Sequence, residues 1–151
     1  MLRRLRLLFA SIVLGAMALV VMGIFVPGGS GSFPWFPAVV AIYGAVALAA
    51  TRWLSARPLD ASDPAALAGS FVRATIGGAA LAESPAVIGA VGSMATGDPW
   101  AAIVGGAWAL LAFSFVAPSE ANLDRRDEQL RALGSWFSLR DALGRGEDVV
   151  D

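Results

Sequence analysis

The chain has 151 residues, of which 57% are hydrophobic and 15% charged, with a net charge of −1. A soluble domain is about half apolar and about a quarter charged, so this composition excludes a soluble enzyme. With a mean hydropathy of +0.68 it also excludes an intrinsically disordered chain. Cysteine and histidine are absent, which removes disulfides, thiolate metal sites, cysteine nucleophiles and the usual general base near neutral pH. A charge this close to zero supplies no global field for nucleic acid. All 11 basic residues are arginine, and with the many alanines this fits a GC-rich bacterial genome.

The apolar residues come in blocks long enough to cross a bilayer, which takes about 20 residues as a helix. The first block, 7–26, follows Arg3, Arg4 and Arg6 and is longer than a signal-peptide core, so it reads as a retained helix. Residues 27–37, with three prolines and three glycines, read as a loop. A second segment spans about 38–54. Asp63-Pro64 is a helix start, with Asp63 as N-cap and Pro64 in the first turn, and opens a third segment, 64–95. Asp98-Pro99 repeats that signature and opens a fourth, 99–117, which stops before Pro118. The expected fold is therefore all-α: an integral membrane domain over 1–118, with four transmembrane helices in an up-down bundle.

Arginine placement sets the orientation. With four crossings, Arg3, Arg4, Arg6, Arg52, Arg57, Arg73, Arg125, Arg126, Arg131, Arg140 and Arg145 all fall on one side. The positive-inside rule places that side, and both termini, in the cytoplasm of a cell inner membrane. Trp35 and Trp100 fall at the outer interface and Trp53 and Trp136 at the inner one, while Trp108 lies mid-helix.

Residues 119–151 form a polar tail with a helical pattern. Leu123, Leu130, Leu133 and Phe137 share one face, and Asp124, Arg125, Asp127, Glu128 and Arg131 fill the other. This predicts a C-terminal amphipathic cytoplasmic helix, interrupted at Gly134, with Ser138 and Asp141 as a capping pair for a second short turn. Such a helix lies on the membrane surface, docks on a partner or packs on its own loops. The stretch after Gly144 reads as acidic and frayed.

Glu83 stands near the middle of the third segment, where a charge costs roughly 2.5–3.5 kcal/mol on insertion scales. Arg73 is ten residues away, about 15 Å along the axis, and is expected to reach the inner surface instead. Hydrocarbon disfavours the charged form, so Glu83 is expected to be protonated or to hold a cation. Pro85 lacks an N–H and frees the carbonyl of Leu81. Glu83, Ser84 and the Leu81 carbonyl are therefore candidate oxygen ligands for a proton, sodium or a similar hard cation. Alternatively, Glu83 hydrogen-bonds another helix and acts as packing glue. Gly78, Ala82, Pro85, Ala86 and Gly89 form a small-residue face for close helix approach, with Gly105, Gly106 and Ala109 available on the fourth segment. Ser11, Thr51, Ser93 and Ser114 are expected to bond their own helix backbones.

Residues 78–89, Gly-Ala-Ala-Leu-Ala-Glu-Ser-Pro-Ala-Val-Ile-Gly, resemble the carboxylate helix of the rotary ATPase proteolipids, the c and K subunits. The resemblance implies Glu83 as a proton or sodium carrier and Ser84 as a second oxygen. It covers twelve residues of 151. Ile88 stands where sodium-binding members often have tyrosine.

These features predict a non-enzymatic polytopic protein, without cofactor, that works as a subunit of a homo-oligomer or of a complex with other membrane subunits. The alternative is a proton- or cation-translocation module with Glu83 as carrier. For a lipid-directed enzyme, Asp60, Asp63, Asp124 and Asp127 are the residues that could gather a metal on the cytoplasmic side, but Asp63 has a capping role and the others read as solvated-face residues.

Overall fold

The computed structural model describes residues 1–26, 28–29 and 33–144. Arg145 and the acidic stretch after it lie outside the described residues, as do four positions of the 27–37 loop. The described chain is helical, with no strand among the described residues: α1 Leu2–Phe25, α2 Phe36–Ala56, α3 Pro64–Thr96, α4 Pro99–Val116, α5 Glu120–Ala132 and α6 Leu139–Gly144. The first four are long and apolar enough to cross a membrane.

The capping residues act as the sequence indicates. Asp63 accepts from the Ala66 N–H at 2.8 Å and Asp98 from the Trp100 N–H at 3.0 Å. Each satisfies an orphan donor of its helix, and Pro64 and Pro99 occupy positions where no N–H is needed. α3 ends at Gly97, whose φ of 73° is a left-handed cap.

α3 and α4 form the central pair, and α1 and α2 each pack on both of them. The pair approaches backbone to backbone. A Cβ on Gly105 would overlap the Pro85 carbonyl oxygen, and one on Gly89 would overlap the Ala101 carbonyl oxygen. α1 adds Ala16 to a cluster with Ala79, Ala82, Ala86, Ala109, Ala112 and Phe113. On the other side, Trp108 lies against Gly44 of α2, and the Phe36 ring lies against Gly92 of α3. The mid-helix tryptophan thus fills the space that a glycine leaves.

α3 has 33 residues, about 50 Å at about 1.5 Å per residue, against a hydrocarbon core of roughly 30 Å. The surplus lies in its first turns. There Leu67, Ala68 and Phe71 join Leu5, Leu123, Leu130, Leu139 and Leu143 in a second core. This is why α1 begins at Leu2 rather than at residue 7: Leu5 is buried in that cluster.

The tail is built onto the end of the bundle. Leu123 and Leu130 are buried as the periodicity predicts, but Leu133 is 68% exposed because the helix has already ended. Gly134 (φ 76°) terminates it, with its N–H on the Arg131 carbonyl and the Ser135 N–H on the Leu130 carbonyl. Asp127, expected on a polar face, is buried, and so is the neighbouring Arg126. Asp127 accepts from the Leu139 N–H at 2.7 Å and so caps α6 from α5, while the Ser138 hydroxyl turns to Asp127 instead of capping locally. The capping pair expected from Ser138 and Asp141 is replaced by this longer-range contact.

Glu120 pairs with both Arg6 of α1 and Arg140 of α6, and Arg140 also pairs with Asp124 at 2.6 Å. The hydrogen bond from Arg6 holds the Glu120 carboxyl below its ordinary value of 4.5. A carboxyl lowered on folding contributes its stabilisation fully above the unfolded value and loses it as pH falls through the folded one. Acidification below about pH 4 is therefore expected to loosen the tail before the bundle. Proteolysis between α4 and α5, followed against pH, reads this directly; an unchanged cleavage rate down to pH 3 would contradict it.

Candidate functional site at mid-helix α3

Glu83 lies twelve residues beyond Phe71, where the tail core ends, and thirteen short of Thr96. It is partly buried, at the border between the α1-packed face of α3 and its outward flank. Ile76, Ala80, Glu83, Val87 and Val91 recur every three or four residues and form one outward stripe. Ala79 and Ala86, the buried residues about one turn to either side of Glu83, are apolar. Among the described residues the Glu83 carboxyl has no hydrogen bond and no ion pair, and Arg73 is exposed, apart from it.

Ser84 and Leu81 are brought together. Ser84 Oγ donates to the Leu81 carbonyl at 2.8 Å, supplying the bond that Pro85 cannot make. The Tyr43 hydroxyl of α2 donates to Ser84 Oγ at 3.0 Å. This relay faces α2, whereas Glu83 faces outward, so the three candidate ligands do not form one hydrogen-bonded set. Tyr43 was not legible as a site residue, although it is the single tyrosine and sits mid-helix. Ser84→Ala would leave the Leu81 carbonyl and the Tyr43 hydroxyl unpaired and is expected to cost about 1–3 kcal/mol. Thermal denaturation in detergent measures it, with Tyr43→Phe/Ser84→Ala losing less than the sum of the two single changes.

The small residues are at the helix contacts. Gly78, Ala82, Pro85, Ala86 and Gly89 are all buried. Gly78 meets the Val116 side chain, and Pro85 and Gly89 meet Gly105 and Ala101. Of the other membrane hydroxyls, Ser11 and Ser114 bond their own helices as expected, to Leu7 and Leu111. Ser93 instead donates across to the Gly23 carbonyl of α1, and buried Thr51 has no partner for its hydroxyl among the described residues.

An apolar cavity of about 550 Å³ continues the outward flank beyond Val87. Phe33, Trp35 and Phe36 wall it on one side and Val87, Ile88 and Val91 on the other. Elsewhere Asp60, Asp63, Asp124 and Asp127 each have partners of their own: Asp63 and Asp127 cap helices, Asp124 pairs with Arg140 and Asp60 accepts from the Ser62 N–H. Among the described residues no group of acids is placed to hold a metal ion. Comparison of the chain with family models, curated proteins and solved structures finds no match.

Proposed function

We propose that this chain is a non-enzymatic, multi-pass membrane protein that works as a subunit of an oligomer, with the Glu83 stripe as the subunit contact. The bundle runs up and down, with both termini and the amphipathic tail on the cytoplasmic side. One observation carries the reading: a carboxyl at mid-span, on an outward flank, with no group among the described residues to relieve it. Leaving it against lipid is costly. A second subunit laid along Ile76, Ala80, Val87 and Val91 covers it and supplies a hydrogen-bond partner, which for a second copy is its own Glu83 carboxyl. The adjoining aromatic-walled groove offers the same subunit further apolar contact. Native mass spectrometry of protein extracted in mild detergent tests this. The expected species is an oligomer of the chain, and a monodisperse monomer would count against the reading.

A second reading makes Glu83 a proton or cation carrier. Its support is the position of the carboxyl, which is partly exposed on the outward flank and unpaired among the described residues. Sodium or proton flux into liposomes that is abolished by Glu83→Gln is the expected mark. Flux unaffected by that substitution, or no flux at all, removes it.

A further inference from the structure

At the tail end of the bundle, α2, α3, α4 and α5 converge around a small pocket lined by Thr51, Ser55, Thr75, Phe115, Arg125 and Arg126, among others. Its charge is one-sided. Arg6 and Arg140 are paired with carboxylates, but among the described residues Arg125 and Arg126 have none. Arg125 donates to the Asn122 side-chain oxygen at 2.6 Å, and Arg126 to the Arg57 carbonyl at 2.8 Å. Arg126 is only 8% exposed. A buried guanidinium without an anion is costly. Burial, and then the neighbouring Arg125, hold its pKa below the ordinary arginine range. Arg52, whose guanidinium carbon lies 5.8 Å from the Phe115 ring centroid, adds a further cation beside the same wall.

The pocket also holds an unused donor. Thr51 is fully buried, and among the described residues its hydroxyl has no hydrogen-bond partner. The pocket has about 20 Å³ of free space, room for one oxygen-sized group. Partly exposed Ser55 and exposed Arg125 lie at its rim. We propose that this pocket binds a phosphate group, with one phosphate oxygen against the Thr51 hydroxyl and the rest held by buried Arg126 and, at the rim, by Arg125. Guanidinium groups match phosphate oxygens in geometry and charge. Under the proposed topology the pocket lies where transmembrane helices meet the cytoplasm, the place at which basic pockets take anionic lipid headgroups. The source of the phosphate is then a phospholipid headgroup or a free phosphate ion.

The test uses the full chain in nanodiscs of phosphatidylcholine, with and without phosphatidylglycerol, and a separate arm with inorganic phosphate added to phosphatidylcholine discs. Melting temperature and retained lipid, by native mass spectrometry, are the readouts. Phosphatidylglycerol is expected to raise the melting temperature and to remain bound. Arg125→Gln should weaken its binding roughly fivefold, whereas Arg131→Gln, which removes an exposed charge outside the pocket, should not. Thr51→Val should raise the melting temperature in pure phosphatidylcholine, because a partnerless hydroxyl is gone, yet reduce the gain from phosphatidylglycerol. Stabilisation by inorganic phosphate alone, with the same dependence on Arg125, identifies the free ion as the source. No response to either probe, or equal weakening by Arg131→Gln and Arg125→Gln, overturns the proposal; the cavity then holds only water.

Discussion

Replacing Gly105 by alanine is expected to be among the most damaging single changes in the bundle. The added Cβ would overlap the Pro85 carbonyl oxygen, and the neighbour that must move is backbone, not the end of a flexible side chain. Overpacking of this kind costs about 1–3 kcal/mol, and more where the backbone cannot yield. Separating α3 from α4 also weakens any Cα–H···O contacts that such close helices make. The same substitution at Gly15 or Gly77, where nothing lies within 4 Å of the added carbon, should be neutral or stabilising by about 0.5–1 kcal/mol, because alanine is the better helix former. Melting temperatures of the three variants in one detergent make the comparison. Equal loss at all three positions would mean that α3 and α4 do not meet at Gly105.

The second large effect is expected at Glu83, and it has two opposite parts. Glu83→Leu removes a carboxyl that is unpaired among the described residues, so insertion of α3 should become easier by roughly 3 kcal/mol. The same change deletes the hydrogen bond proposed between subunits, worth about 1–2 kcal/mol in model peptides, so association should weaken roughly five- to thirtyfold. Glu83→Gln keeps a hydrogen-bonding group and should retain most of the association. A variant that inserts better and assembles worse separates a contact role from a purely destabilising one. If Glu83→Leu assembled as well as the parent chain, the carboxyl would have no part in the contact.

The spans and their caps were legible because they rest on local chemistry. Asp63-Pro64 and Asp98-Pro99 satisfy helix ends with side chains two or three residues away, and apolar length alone marks the four long helices. What the sequence withheld is non-local. The partner of Ser84 is Tyr43 on another helix, 41 residues earlier. Asp127 looks like a solvated-face residue until α6 folds back onto it. Leu5 reads as part of a flank before the first span until the tail core forms around it. The outward flank of α3 was hidden for a different reason. In lipid both the packed and the exposed faces of a helix are apolar, and α3 is rich in alanine and glycine all round, so hydrophobic periodicity does not give its rotational phase. Glu83 was visible as an anomaly, while the direction in which it points required the packing of α1, α2 and α4.

Because the chain has no cysteine, single engineered thiols report contacts without background. The most direct measurement is oxidative cross-linking in membranes of Val87→Cys, on the Glu83 stripe, against Leu110→Cys, on the exposed face of α4. The account predicts a disulfide-linked dimer from Val87→Cys, reduced in yield when Glu83→Leu is added, and monomer from Leu110→Cys. Monomer from both variants, or dimer from both alike, would contradict it.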